Sequence, residues 1–389
     1  MFKNLKIAFK DKSNIDLIRG MILFKIISYP IFTKFLTFFL NLALKLNLPI
    51  TKLTKNTIYR HFCGGETIKQ SKPTIKKLWN SNIGTILDFS AEGKESEKDY
   101  TKVFNEVISS IKEAKTNKCI PFAVFKCTGI TNFSLLQKIS SGVDLSKFEE
   151  EEKTNFESKV EGICQFAFES NVPVFIDAEE SWIQNAIDDI ALKMMQKYNK
   201  KHTIVYNTIQ FYRLDRVNYL KEIIKIAKSK NFNLGVKIVR GAYHEKEINR
   251  AIKHKYKIPV HLNKGNTDHD FNSSIDICLK NLDFVSICAG THNEESCKIL
   301  IEKMKSYNID SNNSKVYFSQ LLGMSDHISY NIANKKYNVA KYVPYGPVKE
   351  LIPYLIRRAE ENTSISGQVN RELSNLILER KRRKSTKES

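Results

Sequence analysis

The chain reads as an α/β protein built on a closed (β/α)8 barrel, and three observations predict this. Eight short β-branched or apolar runs recur between residues 83 and 344. The intervals between them mostly carry helix-like patterns, as in Asn218–Lys230 and Glu294–Tyr307. Strands alternating with helices imply a parallel sheet, and eight repeats are enough to close it. The length, 389 residues, suits one large barrel with extensions or two average domains. A doubly wound sheet is the alternative, but no G-x-G-x-x-G follows an early run, so the usual dinucleotide fingerprint is missing.

In chain order, the first element is an N-terminal helical arm, residues 1–80. Between Ile22 and Leu46 it is rich in Phe, Leu and Ile, with Lys25, Lys34 and Lys45 spaced through it. Its longest uncharged run, Phe35 to Leu44, is about half of the ~20 apolar residues a spanning helix needs. A cleavable signal peptide fits poorly. Two readings stay open: helices packed on the main domain, or an amphipathic segment on a membrane surface. The barrel, residues 81–375, follows with runs at 83–89, 120–127, 172–177, 203–211, 234–240, 283–289, 315–320 and 339–344. Residues 376–389 close the chain as a solvated basic tail, Glu379-Arg380-Lys381-Arg382-Arg383-Lys384, which adds attraction to anionic lipid.

The formal net charge is +20, from 62 Lys+Arg against 42 Asp+Glu. Such a balance suits an anionic surface, lipid or nucleic acid, but no nucleic-acid-binding module is present and the lysines are scattered. Seven cysteines, with no C-x-x-C pair, point to free thiols in a reducing compartment. His254, His261 and His269 have no i,i+4 register, so no metal site is expected. His244 reads as a surface residue, Trp182 as a packing aromatic, and Cys127 and Cys288 as small core residues.

Active sites of such barrels sit at the C-terminal ends of the strands. Those ends carry Asp88, Lys126, Asp177, Gln210, Lys237 with Arg240, Thr291-His292, Gln320 and Tyr342. One such residue is ordinarily a solvated strand end, whereas the whole set on one rim suits a small anion plus something larger. Lys126 and Asp177, on neighbouring strands, are expected to pair, which keeps the lysine charged. Further on, Tyr354-Leu355-Ile356-Arg357-Arg358-Ala359-Glu360-Glu361 reads as a helix with two guanidiniums and a carboxylate one turn later. Glu361 can hold one arginine while another fork clamps a ligand carboxylate, although an ordinary solvated face has the same pattern.

Several blocks resemble the proline dehydrogenase family. They are Val343 to Asn362, Phe125-Lys126-Cys127-Thr128-Gly129, Asp177-Ala178-Glu179-Glu180-Ser181, Val236 to Tyr243, Thr291-His292-Asn293 and Gln320-Leu321-Leu322-Gly323-Met324, with Phe62-Cys63-Gly64-Gly65-Glu66 ahead of the barrel. The single-domain length resembles the stand-alone enzymes. The resemblance implies a distorted TIM-like barrel with the last helix over its mouth. It also implies non-covalent FAD, oxidation of L-proline to Δ1-pyrroline-5-carboxylate, and electrons passed to membrane quinone. By motif position Arg357, Arg358 and Lys126 would pair with the substrate carboxylate, and Tyr342 would pack on the ring. Leu321 and Ala242 would form its apolar wall and Tyr354 would line the pocket. Asp177 would orient Lys126, Glu361 would hold the arginines, and Glu92 would be an acidic gate partner.

For the cofactor, the same resemblance puts Gln210 on the isoalloxazine ring and Lys237 beside flavin N5, where many bacterial relatives have arginine. Val239 and Gly241 would approach through backbone, and Lys264, Thr291 and His292 would meet the pyrophosphate and ribose. With the basic charge and the N-terminal arm, a peripheral enzyme at an anionic surface on the cytoplasmic side of the inner membrane is expected, or a cytoplasmic one. Two other readings are 4-hydroxyproline oxidation, against which Tyr342 argues, and an inactive basic scaffold, against which the intact motif argues.

Overall fold

The structure is a computed structural model and describes residues 1–29, 46, 51–90, 96–364 and 368–388. All eight expected strands form: β1 Ile83–Phe89, β2 Phe122–Lys126, β3 Val174–Asp177, β4 Val205–Gln210, β5 Leu234–Val239, β6 Val285–Gly290, β7 Val316–Leu321 and β8 Val339–Tyr345. They close into one barrel in chain order, which overturns the doubly wound alternative. β2 and β3 begin later than their apolar runs because Pro121 and Pro173 precede them, and proline has no N–H to give a ladder. Side chains just ahead of the helices accept from their first N–H groups, as do Ser96, Asn132, Ser146 and Asn293.

The chain divides into two compact units, Lys94–Ser319 and Met1–Gly93 with Gln320–Ser389. In the first, one face of β2, β3, β4 and β7 carries an aromatic layer. Phe122 stacks on Phe175 with centroids 4.4 Å apart, and both meet Tyr206 edge-on, while Tyr317 closes on Phe122 at 4.8 Å. Side chains alternate along a strand, so this layer sets the phase of everything above it. Lys126, Asp177 and Gln210 are in step with Phe122, Phe175 and Tyr206. Buried Cys127 and Cys288 are packing residues, and burial pushes the Cys288 thiol up to about 11.

In the second unit β1 and β8 pair in parallel, from Ile83↔Val339 to Phe89↔Tyr345. The helix Asn14–Ile27 buries Leu17, Phe24 and Ile27 against Val369 and Leu376 of the helix Gln368–Glu388. As far as Ile27, then, one face of the arm is packed; Lys34, Lys45 and the run Phe35 to Leu44 lie outside the described residues.

Two expectations need correcting. The basic segment is not a solvated tail but the end of the helix Gln368–Glu388. Its Glu379 is fully buried and accepts from Arg382 at 2.8 Å and Arg383 at 2.7 Å. Arg383 also donates to the carbonyls of Phe9 at 2.7 Å and Lys12 at 2.8 Å. Charge composition hid the apolar stripe that docks this helix. The arginine helix, Val348–Ser364, is accordingly not the last one.

Candidate active site

In the unit Lys94–Ser319, the expected Lys126–Asp177 contact is present, with Nζ 3.9 Å from Oδ2. Lys237 donates to the other oxygen, Oδ1 of Asp177, and lies 5.3 Å above the Phe175 ring. Two ammonium groups therefore converge on one carboxylate at the inner face of the strands. Lys237 is not at a strand end, as the sequence reading had it, but at the fourth position of β5, nearly buried. The alternation along Gly235, Lys237 and Val239 was the signal that could have found it.

Above this cluster Gln210 is fixed at both ends. Its amide nitrogen donates to the Glu179 carbonyl at 2.6 Å, and its oxygen accepts from the Ala242 N–H at 3.3 Å. Gly241, just before Ala242, has φ +135°, and a Cβ there would sit 2.5 Å from the Tyr212 ring. Only glycine fits this bend. Ala242 itself is exposed and Val239 half-buried.

A chain of polar contacts covers the neighbouring strand ends. Lys264 pairs with Asp268 at 2.5 Å, and Asp268 also accepts from Arg240 Nε at 2.7 Å. Arg240 continues to Thr291 Oγ1 at 2.7 Å and Ser296 Oγ at 2.8 Å, with its guanidinium 4.4 Å above Phe271. The structure thus links Lys264 and Thr291 through Asp268 and Arg240. His292 follows, half-buried, in the turn before the helix Glu294–Ser306.

Glu179 is a residue to which the sequence reading gave no role. It is buried and accepts from Thr128 N at 3.0 Å and from Thr128 Oγ1, so it ties down the turn directly after Lys126. Burial pushes its carboxyl up to about 7, against the lowering pull of Thr128. Glu179 entered the sequence reading only within the block Asp177-Ala178-Glu179-Glu180-Ser181, where no local pattern marks one carboxylate as buried.

In the other unit, Tyr342 is buried on β8 and Leu321 ends β7 half-buried. Tyr342's carbonyl accepts from Leu322 N at 2.9 Å. On the helix Val348–Ser364, Tyr354 and Arg358 are buried one turn apart, the guanidinium 5.2 Å from the ring, and Arg357 is half-buried beside them. Tyr354 and Leu355 pack with Tyr59, Phe62 and Met324. The Glu361 side chain and all of Glu92 lie outside the described residues.

His61 shares this unit, with Nε2 2.9 Å from the Gly323 carbonyl. Burial, then the Lys12 charge, lowers its pKa to about 4. Unfolded, it binds a proton near 6.5, so its contribution is present above that value and lost as pH falls towards 4. Glu179, raised, acts oppositely over much of the same window. The comparison is therefore wild type against His61→Gln. Their stability gap should narrow by on the order of 2 kcal/mol between pH 7.5 and 4.5, read by urea unfolding; a constant gap would refute the assignment.

Among the described residues there is no cluster of His, Cys, Asp and Glu able to hold a metal. His261 is instead 2.7 Å from Asp270.

The family model for proline dehydrogenase matches residues 71–371. A mitochondrial proline dehydrogenase 1 of Dictyostelium discoideum is 32% identical, covering 89% of this chain and 68% of the relative. The carbapenem antibiotics biosynthesis protein CarD of Pectobacterium carotovorum subsp. carotovorum is 31% identical, covering 82% and 81%. A hydroxyproline dehydrogenase of Xenopus laevis is 27% identical, covering 97% and 89%. Among solved structures, proline utilization A from Bdellovibrio bacteriovorus, inactivated by N-propargylglycine, matches with TM-score 0.73 at 20% identity, over 82% of this chain and 34% of that one. The chain thus spans about a third of that larger protein, with which it shares the barrel. By the family model and by relatives matched over most of its length, the chain belongs to the proline dehydrogenase family of oxidoreductases.

Proposed function

We propose that this oxidoreductase converts L-proline to Δ1-pyrroline-5-carboxylate, holding FAD non-covalently and passing electrons to membrane quinone. The observation that carries this reading is the convergence of Lys126 and Lys237 on Asp177 at the inner face of the barrel strands. The donor set fits an anionic, planar cofactor. Gln210 offers an amide in a fixed orientation, Gly241 a backbone stripped of its side chain, and Lys264, Thr291 and His292 cationic or hydroxyl donors. Bound FAD would supply the acceptor for the hydride leaving the ring carbon next to nitrogen.

The chain's own residues do the rest. Lys126, aimed by Asp177, takes the substrate carboxylate with Arg357 and Arg358, and Glu361 holds the arginines. These are positioning groups, because holding that carbon in place is most of the work. Tyr342, Leu321, Ala242 and Tyr354 form the walls around the ring, with Glu92 as the gate partner. Lys237 would hold the cofactor with positive charge, and Val239 and Gly241 would approach it through backbone. The substrate amine loses its proton to solvent before its lone pair forms the imine.

Turnover of L-proline and 4-hydroxy-L-proline with a soluble quinone, with the product identified by mass, tests this reading. The expected result is kcat/KM at least about tenfold higher for proline, since an added hydroxyl must be buried beside Tyr342. Preference for 4-hydroxyproline would favour the reading that the Xenopus relative suggests.

The reading extends to a peripheral position on an anionic membrane, at its cytoplasmic side. Ile15, Ile18, Ile22 and Tyr29 are exposed along one stripe, with Arg19 and Lys25 beside them. Among the described residues no helix is long and apolar enough to cross a membrane. Flotation with anionic liposomes should be lost when Ile15, Ile18 and Ile22 become serine; equal flotation refutes it.

A further inference from the structure

Lys341 neighbours Tyr342 on β8, and alternation turns the two side chains to opposite faces. Lys341 is fully buried. An ammonium has three protons to give, and three acceptors meet it: the Met324 carbonyl at 2.6 Å, Asp326 Oδ1 at 2.6 Å and the Leu321 carbonyl at 3.3 Å. Asp326 is shared with a second cation, Lys12 of the N-terminal arm, whose Nζ is 2.7 Å from Oδ2. Burial alone would raise the Asp326 carboxyl, and the two lysines more than reverse that.

The segment these groups grip, Leu321 to Asp326, has left-handed backbone at two positions, one of them a non-glycine. Gly323 has φ +79° and Ser325, a non-glycine, has φ +53°. A left-handed non-glycine residue persists only where its surroundings over-determine it. Here they do. Beyond Lys341 and Lys12, Glu372 accepts from Ser325 N at 2.8 Å, Tyr342's carbonyl from Leu322 N at 2.9 Å, and His61 holds the Gly323 carbonyl. Lys12, His61 and Glu372 lie outside residues 71–371, the stretch matched by the family model.

We propose that Lys341 and Lys12 are positioning residues that set, through Asp326 and the carbonyls of Leu321 and Met324, where Leu321 stands, making the N-terminal arm part of the specificity apparatus. This rests on the reading that Leu321 and Tyr342 wall the substrate ring. The arm acts at a distance: Lys12 keeps Asp326 ionised and in place, Asp326 keeps Lys341 charged, and Lys341 holds the two carbonyls. With Lys12 gone, the turn loses one of its restraints and Leu321 moves.

The experiment compares wild type, Lys12→Met, Lys12→Arg and Lys341→Met by hydrogen exchange and by kinetics. In Lys12→Met, exchange across residues 322–326 should rise about tenfold. KM for proline should rise about 5-fold with kcat within about twofold, and preference over 4-hydroxyproline should shrink, since displacement by a fraction of an ångström weakens positioning. Lys12→Arg should restore both readouts. Lys341→Met should act in the same direction and more strongly if it folds, while Lys12→Met, at a partly exposed site, keeps the question open to test. Unchanged exchange in Lys12→Met overturns the clamp. Raised exchange with wild-type KM and preference overturns its link to specificity. Should wild type fail to oxidise proline, the functional reading falls, while exchange still decides the clamp.

Discussion

Arg357→Met should raise KM for proline by about 100-fold while the flavin content of the purified protein stays that of wild type. The methionine keeps most of the volume of a half-buried side chain but removes a charged fork. A charge-assisted pair to a carboxylate is worth roughly 2–4 kcal/mol when one partner is truncated in a desolvated site, which corresponds to about 30- to 1,000-fold. Arg358 persists as the second guanidinium, stacked on Tyr354, so binding is weakened and not abolished. Arg357→Lys should recover little, because a point charge lacks the planar fork. Steady-state kinetics together with the flavin-to-protein absorbance ratio decide the matter. Loss of flavin with an unchanged KM would assign Arg357 to the cofactor.

Asp177→Asn should cost both catalysis and stability, since one carboxylate serves two ammonium groups. Lys237 is nearly buried, with only 5% of its side chain exposed, and the amide that replaces its partner carries no charge. Removing one member of a buried pair typically costs about 3–5 kcal/mol, because the remaining charge stays desolvated. A loss of about 3 kcal/mol in urea unfolding is expected, with kcat/KM down by about a thousandfold as Lys126 loses its direction. The double variant Asp177→Asn with Lys237→Met should regain at least half of the stability but none of the activity. If the single variant is as stable as wild type, the cluster is not the energetic unit described here.

The architecture was legible because parallel barrel strands, buried on both faces, leave short apolar runs that helical intervals separate. Where boundaries differed, proline explained it at β2 and β3. The pairing of Lys126 with Asp177 could be read from adjacent strand ends. The grip of Lys237 on the same carboxylate required the phase of the aromatic layer, and that phase was available in Phe175 and Tyr206. Other parts were hidden for a different reason. Lys341 looks like any strand lysine next to a tyrosine, and Asp326, which it shares with Lys12, is brought to both only by the fold. Glu379, Arg382 and Arg383 look like a charged tail, since charge density masks the apolar face that Val369 and Leu376 supply. Long-range ion pairs leave no local pattern, so sequence periodicity misses them.

The proposed function requires that this barrel present proline to a bound flavin. It is tested most directly by the visible absorbance spectrum of the purified, FAD-loaded protein under anaerobic conditions, before and after L-proline is added. Flavin bands should bleach on adding proline and return with a quinone acceptor. A protein that binds no FAD, or whose flavin bands ignore saturating proline, would contradict it.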